Sequence, residues 1–331
     1  AGFSGSEADE LRRAMSFHRS EVRMQQAIDR LSRRMTERGV PKAVQDKITK
    51  SICSFALYGF PESHAISFGL LAYASTWMKV HRTVEFFAAL LNNQPMGFYS
   101  PATLLKDARR HGIRTRPVCV VASDVLCTVE DDSTLRLGLC MVKGLNSDNA
   151  ELIETERARA PFHDLDDFLL RVPLSKKDRR TLAKVGALNA LLPDGHRRTA
   201  LWEVEKFMDI GDLFSTARRS GAEVGESPLS QMSPAERLAS DYSGLGLTTG
   251  PHPMAYIRDT NPGLWPAITL PAGRHGQVVT TAGLVICRQR PGTAKGHMFI
   301  SHEDETGNSN SIVPSPTFER YSLVITTERI I

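Results

Sequence analysis

Hydrophobic residues recur every three or four positions over most of the first 112 residues, which predicts a series of amphipathic helices. Gly39 and Pro41 separate two of these helices, because glycine favours a helix end and proline a first helical turn. The predicted buried stripes are Met24, Ile28, Leu31 and Met35 before this break, and Val44, Ile48, Ile52 and Phe55 after it.

A nearly continuous apolar segment, Ala65 to Lys79, follows the second stripe. Because it is apolar on almost every side, it predicts a helix buried at the centre of this region. Its apolar run of about fourteen residues is too short to span a bilayer. Ser100 and Pro101 are typical of the start of a further helix, which we expect to end before Gly112.

After residue 112 the hydrophobic period changes. Alternating apolar residues on both sides of an acidic turn at 130–133 predict a small β element over 113–141. Helical spacing returns over 142–200, and a stretch rich in Gly, Ser and Pro occupies 209–250. This stretch contains a capping box that begins at Ser233.

The last part of the chain predicts strands. These are 278–287, 298–302 and 310–313, then a short helix near 317–321 and a final strand from Leu323. This order resembles an oligonucleotide-binding (OB) barrel without its last strand.

Composition adds little constraint beyond a soluble, cytoplasmic, multidomain protein. The chain has 331 residues and a formal net charge of +4, which permits nucleic acid as a partner without requiring it. Basic residues are concentrated in the first fifty positions. The five cysteines have no zinc-site spacing, and no signal peptide is evident. The missing initial Met and the final strand suggest a portion of a longer protein.

Two segments near the start have the residues of a nucleotide pocket. Arg12 and Arg13 offer adjacent guanidinium groups, which bind phosphate well. The loop that follows the second stripe brings an aromatic, hydroxyl and imidazole set: Tyr58, Phe60, Ser63 and His64. The alternatives are surface arginines, aromatic residues that close the core, and a Ser63 that only caps the next helix.

Two pentapeptides between helical stretches are similar to helix-hairpin-helix turns. Lys143 and Gly144 belong to the first, at 142–146, and Lys184 and Gly186 to the second, at 184–188. In such a turn glycine lets backbone N–H groups at a helix N-terminus face a DNA phosphate. The alternative is an ordinary helix-to-helix turn with glycine as the C-cap. Asn146, where a second glycine is usual, tolerates the left-handed conformation.

A third basic group lies between the first two predicted strands of the last domain. It comprises Arg288, Arg290 and Lys295, in a loop suited to single-stranded nucleic acid. Phe299 either stacks on a base or belongs to the core, and the core is the favoured interpretation.

These segments together resemble bacterial C-family DNA polymerases, the family of the replicative polymerase III alpha subunit. The alpha-subunit loop has the pattern Tyr-Gly-Phe-Asn-Lys-Ser-His. Here Pro61 and Glu62 replace Asn-Lys, as in the error-prone branch of the family. Further error-prone-type segments are Gly2–Gly5, Arg12–Ser16, Gln94–Ser100 and Asp107–Gly112. The resemblance runs, with gaps, from Ala1 to Ile331.

The resemblance implies a mainly α, multidomain chain that ends in a truncated OB barrel. The expected domains are helical fingers (1–115), a small β element with tandem helix-hairpin-helix modules (116–205), a linker with a short helix (206–265) and a partial OB fold (266–331). The whole protein would perform error-prone, translesion DNA synthesis on template-primer DNA with deoxynucleoside triphosphates. A sliding clamp and mutagenesis accessory proteins are further expected partners, and a membrane is not.

The catalytic Mg²⁺ ligands are not expected in this chain, because the family's catalytic aspartates belong to the palm, which precedes these residues. Two-metal catalysis needs clustered carboxylates. The one such spacing, Asp164 to Asp167, is interpreted as the acidic start of a helix. The chain alone is therefore expected to be inactive.

Several alternatives stay open. Ile210–Phe214 stands where alpha subunits have a clamp-binding motif, but a helix end turning into linker is favoured. The replicative alpha subunit is one alternative identity, and a non-catalytic helix-hairpin-helix and OB scaffold is another.

Overall fold

The computed structural model describes residues 4–9, 21–58, 62–97, 99–207, 227–292 and 294–331. Side chains are described in these ranges except at 21, 23, 54–58 and 62–64. The chain divides into two compact units, Ala1–Trp77 and Met78–Ile331.

The first unit is helical. After a short helical stretch at 5–9, its elements are α1 (Glu21–Glu37), α2 (Lys42–Tyr58) and most of α3 (Glu62–His81). Ile28, Leu31 and Met35 are buried along α1, as the first stripe predicted. The break after α1 is the predicted one, since Gly39 has a φ of +70°. Gln45 closes the turn by donating from its amide to the Val40 carbonyl at 2.8 Å.

The predicted burial of the next two helices is wrong for this chain. Val44 and Ile48 of α2 are exposed, and buried Gln45 lies between them in sequence. Of the other two predicted positions, Ile52 is half-buried and the Phe55 side chain lies outside the described residues. Helix α3 forms where predicted, but most of its large apolar side chains are exposed: Ile66, Phe68, Leu70, Leu71, Tyr73, Trp77, Met78 and Val80. A helix with this much apolar surface is expected to pack against other residues, but within the described residues its apolar side chains are exposed.

The second unit begins with two packed helices, α4 (Thr83–Asn92) and α5 (Pro101–Arg110). Ser100 caps α5 by accepting a hydrogen bond from the Thr103 N–H at 3.2 Å, with Pro101 at the first helical position. The end of α5 is also the predicted one, with Gly112 at a φ of +82°. Phe87, Leu91 and Leu105 are almost fully buried.

A small three-stranded sheet follows α5, as expected. Its strands are β1 (Arg114–Arg116), β2 (Thr128–Asp131) and β3 (Thr134–Arg136), in the order β1-β3-β2. β1 is parallel to β3, and β2 is antiparallel to it across the acidic turn. The predicted β residues from Val118 to Val125 instead form turns. Val118 and Val120 are buried, so the alternating apolar residues pack into the core without forming a strand.

In the described residues between 142 and 250, five α-helices follow this sheet in sequence. They are α6 (Ser147–Arg159), α7 (Leu165–Arg171), α8 (Lys176–Val185), α9 (Arg197–Lys206) and α10 (Pro234–Gly244). Short 3₁₀ helices at Leu139–Met141 and Asn189–Leu191 precede α6 and α9. The predicted capping box forms at the start of α10, between Ser233 and Glu236. A single hydrophobic core includes buried residues from Val84 to Leu247.

The end of the chain forms an open sheet with a helix. After α11 (Pro253–Thr260) and a 3₁₀ helix at Ala267–Ala272, the strands are β4 (Leu284–Gln289), β5 (Met298–Glu303) and β6 (Asn308–Val313). They form an antiparallel sheet in the order β4-β5-β6. No closed barrel forms in the described residues, so this part is consistent with a truncated OB-like domain.

Two strand predictions need correction here. The first strand begins at Leu284 rather than 278, and Val278 is 95% exposed. The predicted last strand from Leu323 is part of helix α12 (Ser315–Thr327), which continues past a kink at Tyr321. The β-branched residues in this segment favoured a strand, but Ile325 packs under the sheet from the helix. After this helix, residues 329–331 pair with the start of β4: Ile330 lies opposite Leu284, and the Val285 N–H donates to the Arg329 carbonyl at 2.8 Å.

Candidate nucleic-acid interface

The first predicted hairpin turn depends on glycine for its backbone conformation. Gly144 has a φ of +85°, a region that other L residues rarely adopt. Space is not the constraint, since an added Cβ would first meet the Lys177 Nζ at 3.9 Å. The turn is fixed to the end of α10, because the Lys143 N–H donates to the Gly244 carbonyl at 2.8 Å.

Helix α6 starts directly after this turn. Asn146 is its N-cap and accepts a hydrogen bond from the Asn149 N–H at 2.8 Å. Asn146 has a φ of −79°, so the left-handed conformation considered for it does not occur. The N–H groups of Ser147 and Asp148, in the first turn, have no intrahelical acceptor. Such groups are suited to binding an anion.

Two exposed lysines lie near the Gly144 turn, although the Lys143 Nζ is directed to the end of α10, 3.1 Å from a Cβ added at Gly246. Lys143 is exposed and donates from Nζ to the Tyr242 carbonyl at 3.1 Å. Lys177 is also exposed, and its Nζ is the atom nearest to a Cβ added at Gly144, at 3.9 Å. The side chain of Asp148 opposes the positive charge of these lysines. We call Lys143, Gly144, Lys177 and the first turn of α6 the Gly144 surface.

Lys177 was not among the contact residues predicted from the sequence. A signal for it existed, because Lys177 follows Ser175, the N-cap of α8, and so belongs to the first turn of a helix with an exposed basic side. Its proximity to Gly144 depends on tertiary packing, which the sequence pattern did not specify.

The second predicted hairpin is a helix C-cap, which was the alternative interpretation. Gly186 has a φ of +81° and ends α8. Its N–H donates to the Ala183 carbonyl at 3.1 Å, and the Ala187 N–H donates to the Leu182 carbonyl at 2.9 Å. This is the Schellman arrangement, in which the turn satisfies helix carbonyls. These two N–H groups are therefore not available to a phosphate.

A side chain also covers Gly186. An added Cβ there would lie 2.7 Å from the Arg197 Nε. Lys184 is exposed, and its carbonyl accepts a hydrogen bond from Arg197 at 3.3 Å. The next helix N-terminus is that of α9, after Asp194. Hydrogen bonding from Thr199 holds the pKa of the Asp194 carboxyl below its ordinary value, so this terminus already has an anion nearby.

The three basic residues predicted in the last domain have different environments. Arg288 lies in β4, not in the loop, and donates to the carbonyls of Ile325 and Glu328 at the end of α12. The structure therefore uses it as a helix C-cap. The Arg290 guanidinium lies 4.2 Å from the centre of the Phe318 ring. Lys295 is exposed at a turn with a φ of +48°.

The preference for a core position at Phe299 is wrong. Phe299 is 38% exposed, and its cross-strand neighbour Ile312 is 64% exposed. Met298 and Ile300, which alternate with it along β5, are buried on the other face. The outward face of this sheet therefore presents an aromatic ring, as base stacking requires.

The predicted nucleotide pocket cannot be assembled from the described residues. Arg12, Arg13 and Phe60 lie outside them, as does the Ile210–Phe214 segment. Tyr58 is the last residue of α2, and Ser63 and His64 lie in the first turn of α3, with backbone alone described. Because α3 starts at Glu62, Ser63 is inside the helix and not at the predicted N-cap.

The acidic segment before α7 has structural partners. Asp164 is the N-cap and accepts from the Asp167 N–H at 2.8 Å. Asp167 pairs with Arg171 at 3.2 Å. Within the part of the chain that the structure describes, no three His, Cys, Asp or Glu residues are grouped to hold a metal. These residues do not fit a two-metal polymerase site.

Helix geometry gives one further result. None of the helices in the described ranges is both long and apolar enough to cross a bilayer.

Comparison with known proteins identifies the family. A model described as "Helix-hairpin-helix motif" matches residues 112–200. A protein named error-prone DNA polymerase from Alkalilimnicola ehrlichii is 41% identical over 339 aligned positions, covering 100% of this chain and 32% of that protein. Proteins of the same name from Azoarcus sp. (strain BH72) and Pseudomonas savastanoi pv. phaseolicola are each 42% identical. These cover 97% and 100% of the chain and 31% and 33% of the relatives.

The chain thus spans about one third of the length of these curated relatives. The similarity extends over nearly the whole chain and is not confined to the helix-hairpin-helix part. The chain therefore belongs to the error-prone DNA polymerases and corresponds to a C-terminal portion of them.

Proposed function

We propose that this chain is the DNA- and nucleotide-binding part of an error-prone polymerase that performs template-directed synthesis across damaged DNA. The observation that supports this most strongly is the 41% identity to an error-prone DNA polymerase over the full chain. This homology favours the polymerase over an unrelated non-catalytic scaffold. The name shared by these relatives also favours the error-prone branch over the replicative alpha subunit.

The Gly144 surface is the proposed phosphate contact. It combines helix N–H groups without intrahelical acceptors, a turn that requires glycine, and two exposed lysines. None of these features recognises a base edge, so the contact would be independent of DNA sequence. A polymerase that moves along any template requires contacts of this kind.

Salt dependence of DNA binding tests this proposal. We expect the affinity for a primer-template duplex, measured by fluorescence anisotropy, to fall steeply with salt. The double variant Lys143→Gln/Lys177→Gln should reduce the slope of log K against log salt by about one for each phosphate that the lysines no longer neutralise. Lys176→Gln is the matched control, because Lys176 already pairs with Glu205 at 3.0 Å.

An unchanged slope in the double variant would reject the Gly144 surface as a DNA contact. An equal reduction in the Lys176 control would instead indicate a general charge effect. The family assignment would survive either result, because it rests on sequence identity.

Further DNA contacts are proposed from exposure alone, at Lys184, Arg290, Lys295 and Phe299.

The nucleotide pocket remains a proposal from the sequence. Arg12 and Arg13 would bind the triphosphate, and the segment from Tyr58 to His64 would hold the sugar and base. In the full-length enzyme, Arg12→Ala and Arg13→Ala should raise KM for deoxynucleoside triphosphates more than they lower DNA affinity. Glu62→Lys should lower misincorporation if Glu62 loosens nucleotide selection, and an unchanged error rate would reject that role.

Catalysis is proposed to require a divalent cation, Mg²⁺, held by residues outside this chain. The chain alone should bind DNA without extending a primer. Primer extension by the isolated chain with Mg²⁺ and all four nucleotides would overturn this assignment. The domain ranges, cytoplasmic location, sliding clamp and accessory-protein partners are parts of the same proposal.

A further inference from the structure

Two cysteine thiols meet beside the small sheet of the second unit. Cys127 directly precedes β2 and is buried, with 4% of its surface exposed. Cys140 lies in the middle of the 3₁₀ helix Leu139–Met141 and is exposed. The Gly138 N–H, two residues before Cys140, donates to the Cys127 sulfur, and the side chains of the two cysteines interact. One member of the pair is thus open to solvent and the other is held in the core.

Backbone packing enforces this proximity. An added Cβ at Gly138 would lie 2.3 Å from the Leu126 carbonyl carbon and 2.6 Å from the Cys127 nitrogen, so only glycine fits. The Gly138 N–H donates to the Cys127 sulfur at 3.3 Å. The Cys140 N–H donates to the Val125 carbonyl at 2.9 Å. The two segments are therefore held together on both sides of the thiol pair.

Their different environments and their interaction make the two thiols chemically unequal. The interaction with Cys127 lowers the pKa of the Cys140 thiol to about 7, whereas the pKa of the Cys127 thiol is raised by this interaction and by burial. Near neutral pH a substantial fraction of Cys140 is therefore thiolate, and the thiolate is the reactive form of cysteine. Cys127 retains its proton beside it.

We propose that Cys140 and Cys127 form a reversible disulfide when the protein meets hydrogen peroxide. The Cys140 thiolate attacks one peroxide oxygen, the O–O bond breaks, and a sulfenic acid forms as the peroxide is reduced. The Cys127 sulfur then attacks the Cys140 sulfur, its proton goes to the departing hydroxide, and water leaves. The sum is two thiols and one peroxide giving one disulfide and two waters.

The cross-link would lie just before the Gly144 surface. The 3₁₀ helix that contains Cys140 ends at Met141, two residues before Lys143. A disulfide would fix this helix to the strand that starts at Thr128. The other cysteines, Cys53, Cys119 and Cys287, are partly buried and act as internal controls for general oxidation.

The test is treatment of the intact chain with hydrogen peroxide, followed by alkylation and mass spectrometry of a non-reduced digest. We expect a peptide cross-linked between Cys127 and Cys140, 2 Da lighter than its two components, that dithiothreitol reverses. In Cys127→Ala, we expect dimedone to label Cys140 and the cross-link to be absent. In Cys140→Ser, Cys127 should stay unlabelled.

A second measurement separates this chemistry from incidental oxidation. At pH 7, iodoacetamide should alkylate Cys140 much faster than Cys127, because Cys140 is exposed and its thiol has the lowered pKa. Cys127→Ala should move the midpoint of the Cys140 alkylation profile to higher pH. The proposal is overturned if oxidised wild type carries only sulfenic or sulfinic Cys140 without the cross-link, or if the midpoint does not move. If Cys127→Ala does not fold, cross-linking in wild type and its loss in Cys140→Ser still decide the matter.

Discussion

A buried ion pair between Arg197 and Asp241 joins three helices of the second unit. Arg197 opens α9 and donates to the Asp241 carboxylate of α10 at 2.7 Å, with only 12% and 7% of the two side chains exposed. The same nitrogen reaches the Lys184 carbonyl near the end of α8 at 3.3 Å. Thr248 donates to the other carboxylate oxygen at 2.5 Å. Arg197→Met would leave Asp241 with Thr248 as its remaining partner in this set.

Removing one member of a buried pair leaves an uncompensated charge in the core. That cost is typically about 3–5 kcal/mol, larger than the net contribution of the intact pair. In a unit of this size it corresponds to a fall in melting temperature of about 10 °C. Arg197→Met should therefore be among the more destabilising substitutions of a polar residue in this unit.

Urea unfolding followed by circular dichroism measures this cost. Arg198→Met is the matched control, because the adjacent arginine pairs with the exposed Glu236 at 2.6 Å and should contribute much less. The double variant Arg197→Met/Asp241→Leu should recover about 2 kcal/mol of the loss, since it removes the buried charge as well. Equal stabilities of Arg197→Met and Arg198→Met would refute this reasoning.

Three other predictions follow from single residues. Gly138→Ala should destabilise the fold by about 3 kcal/mol or more in thermal unfolding, because its Cβ would overlap backbone, whereas Gly144→Ala should cost about 1 kcal/mol for its left-handed φ alone. Burial lowers the pKa of Lys106 to about 8 despite its pairing with Glu303 at 3.1 Å. Between pH 8 and 10.5 the unfolded chain therefore binds more protons at this site, and the stability of wild type relative to Lys106→Met should rise over that range by about 2 kcal/mol. A stability difference between wild type and Lys106→Met that stays constant or falls over this pH range would contradict the lowered pKa of Lys106. Phe299→Ala should change the free energy of unfolding little, because the ring is 38% exposed, and a loss of single-stranded DNA affinity in that variant would support base stacking.

Local structure near helix ends was the most predictable part of the fold. Ser100 with Pro101, and Ser233 with Glu236, form the predicted caps because their hydrogen bonds join residues three positions apart. Gly39 likewise ends α1 as expected. Such interactions are fully encoded within a few neighbouring residues.

Burial and side-chain partners were less predictable. The apolar surface of α3 is exposed although its sequence favours a buried helix. Arg288 was expected at a mobile loop, yet it caps α12 from 37 and 40 residues away in sequence. In both cases the outcome depends on which distant segment lies alongside, and a local pattern contains no information about that segment.

The two hairpin glycines separate what the local sequence predicts from what depends on tertiary structure. Gly144 and Gly186 have nearly the same backbone, with φ of +85° and +81°. Both were predicted to lie in turns between helices, and both adopt the left-handed conformation there, which is a local property. Their roles differ because Gly186 closes the preceding α8, whereas Gly144 leads into the start of α6. Binding of a phosphate by backbone N–H groups at such a turn requires the second arrangement, since a helix start presents N–H groups without intrahelical acceptors. The glycine pattern therefore predicts the turn, and the direction of the adjoining helix decides whether that turn is able to bind DNA.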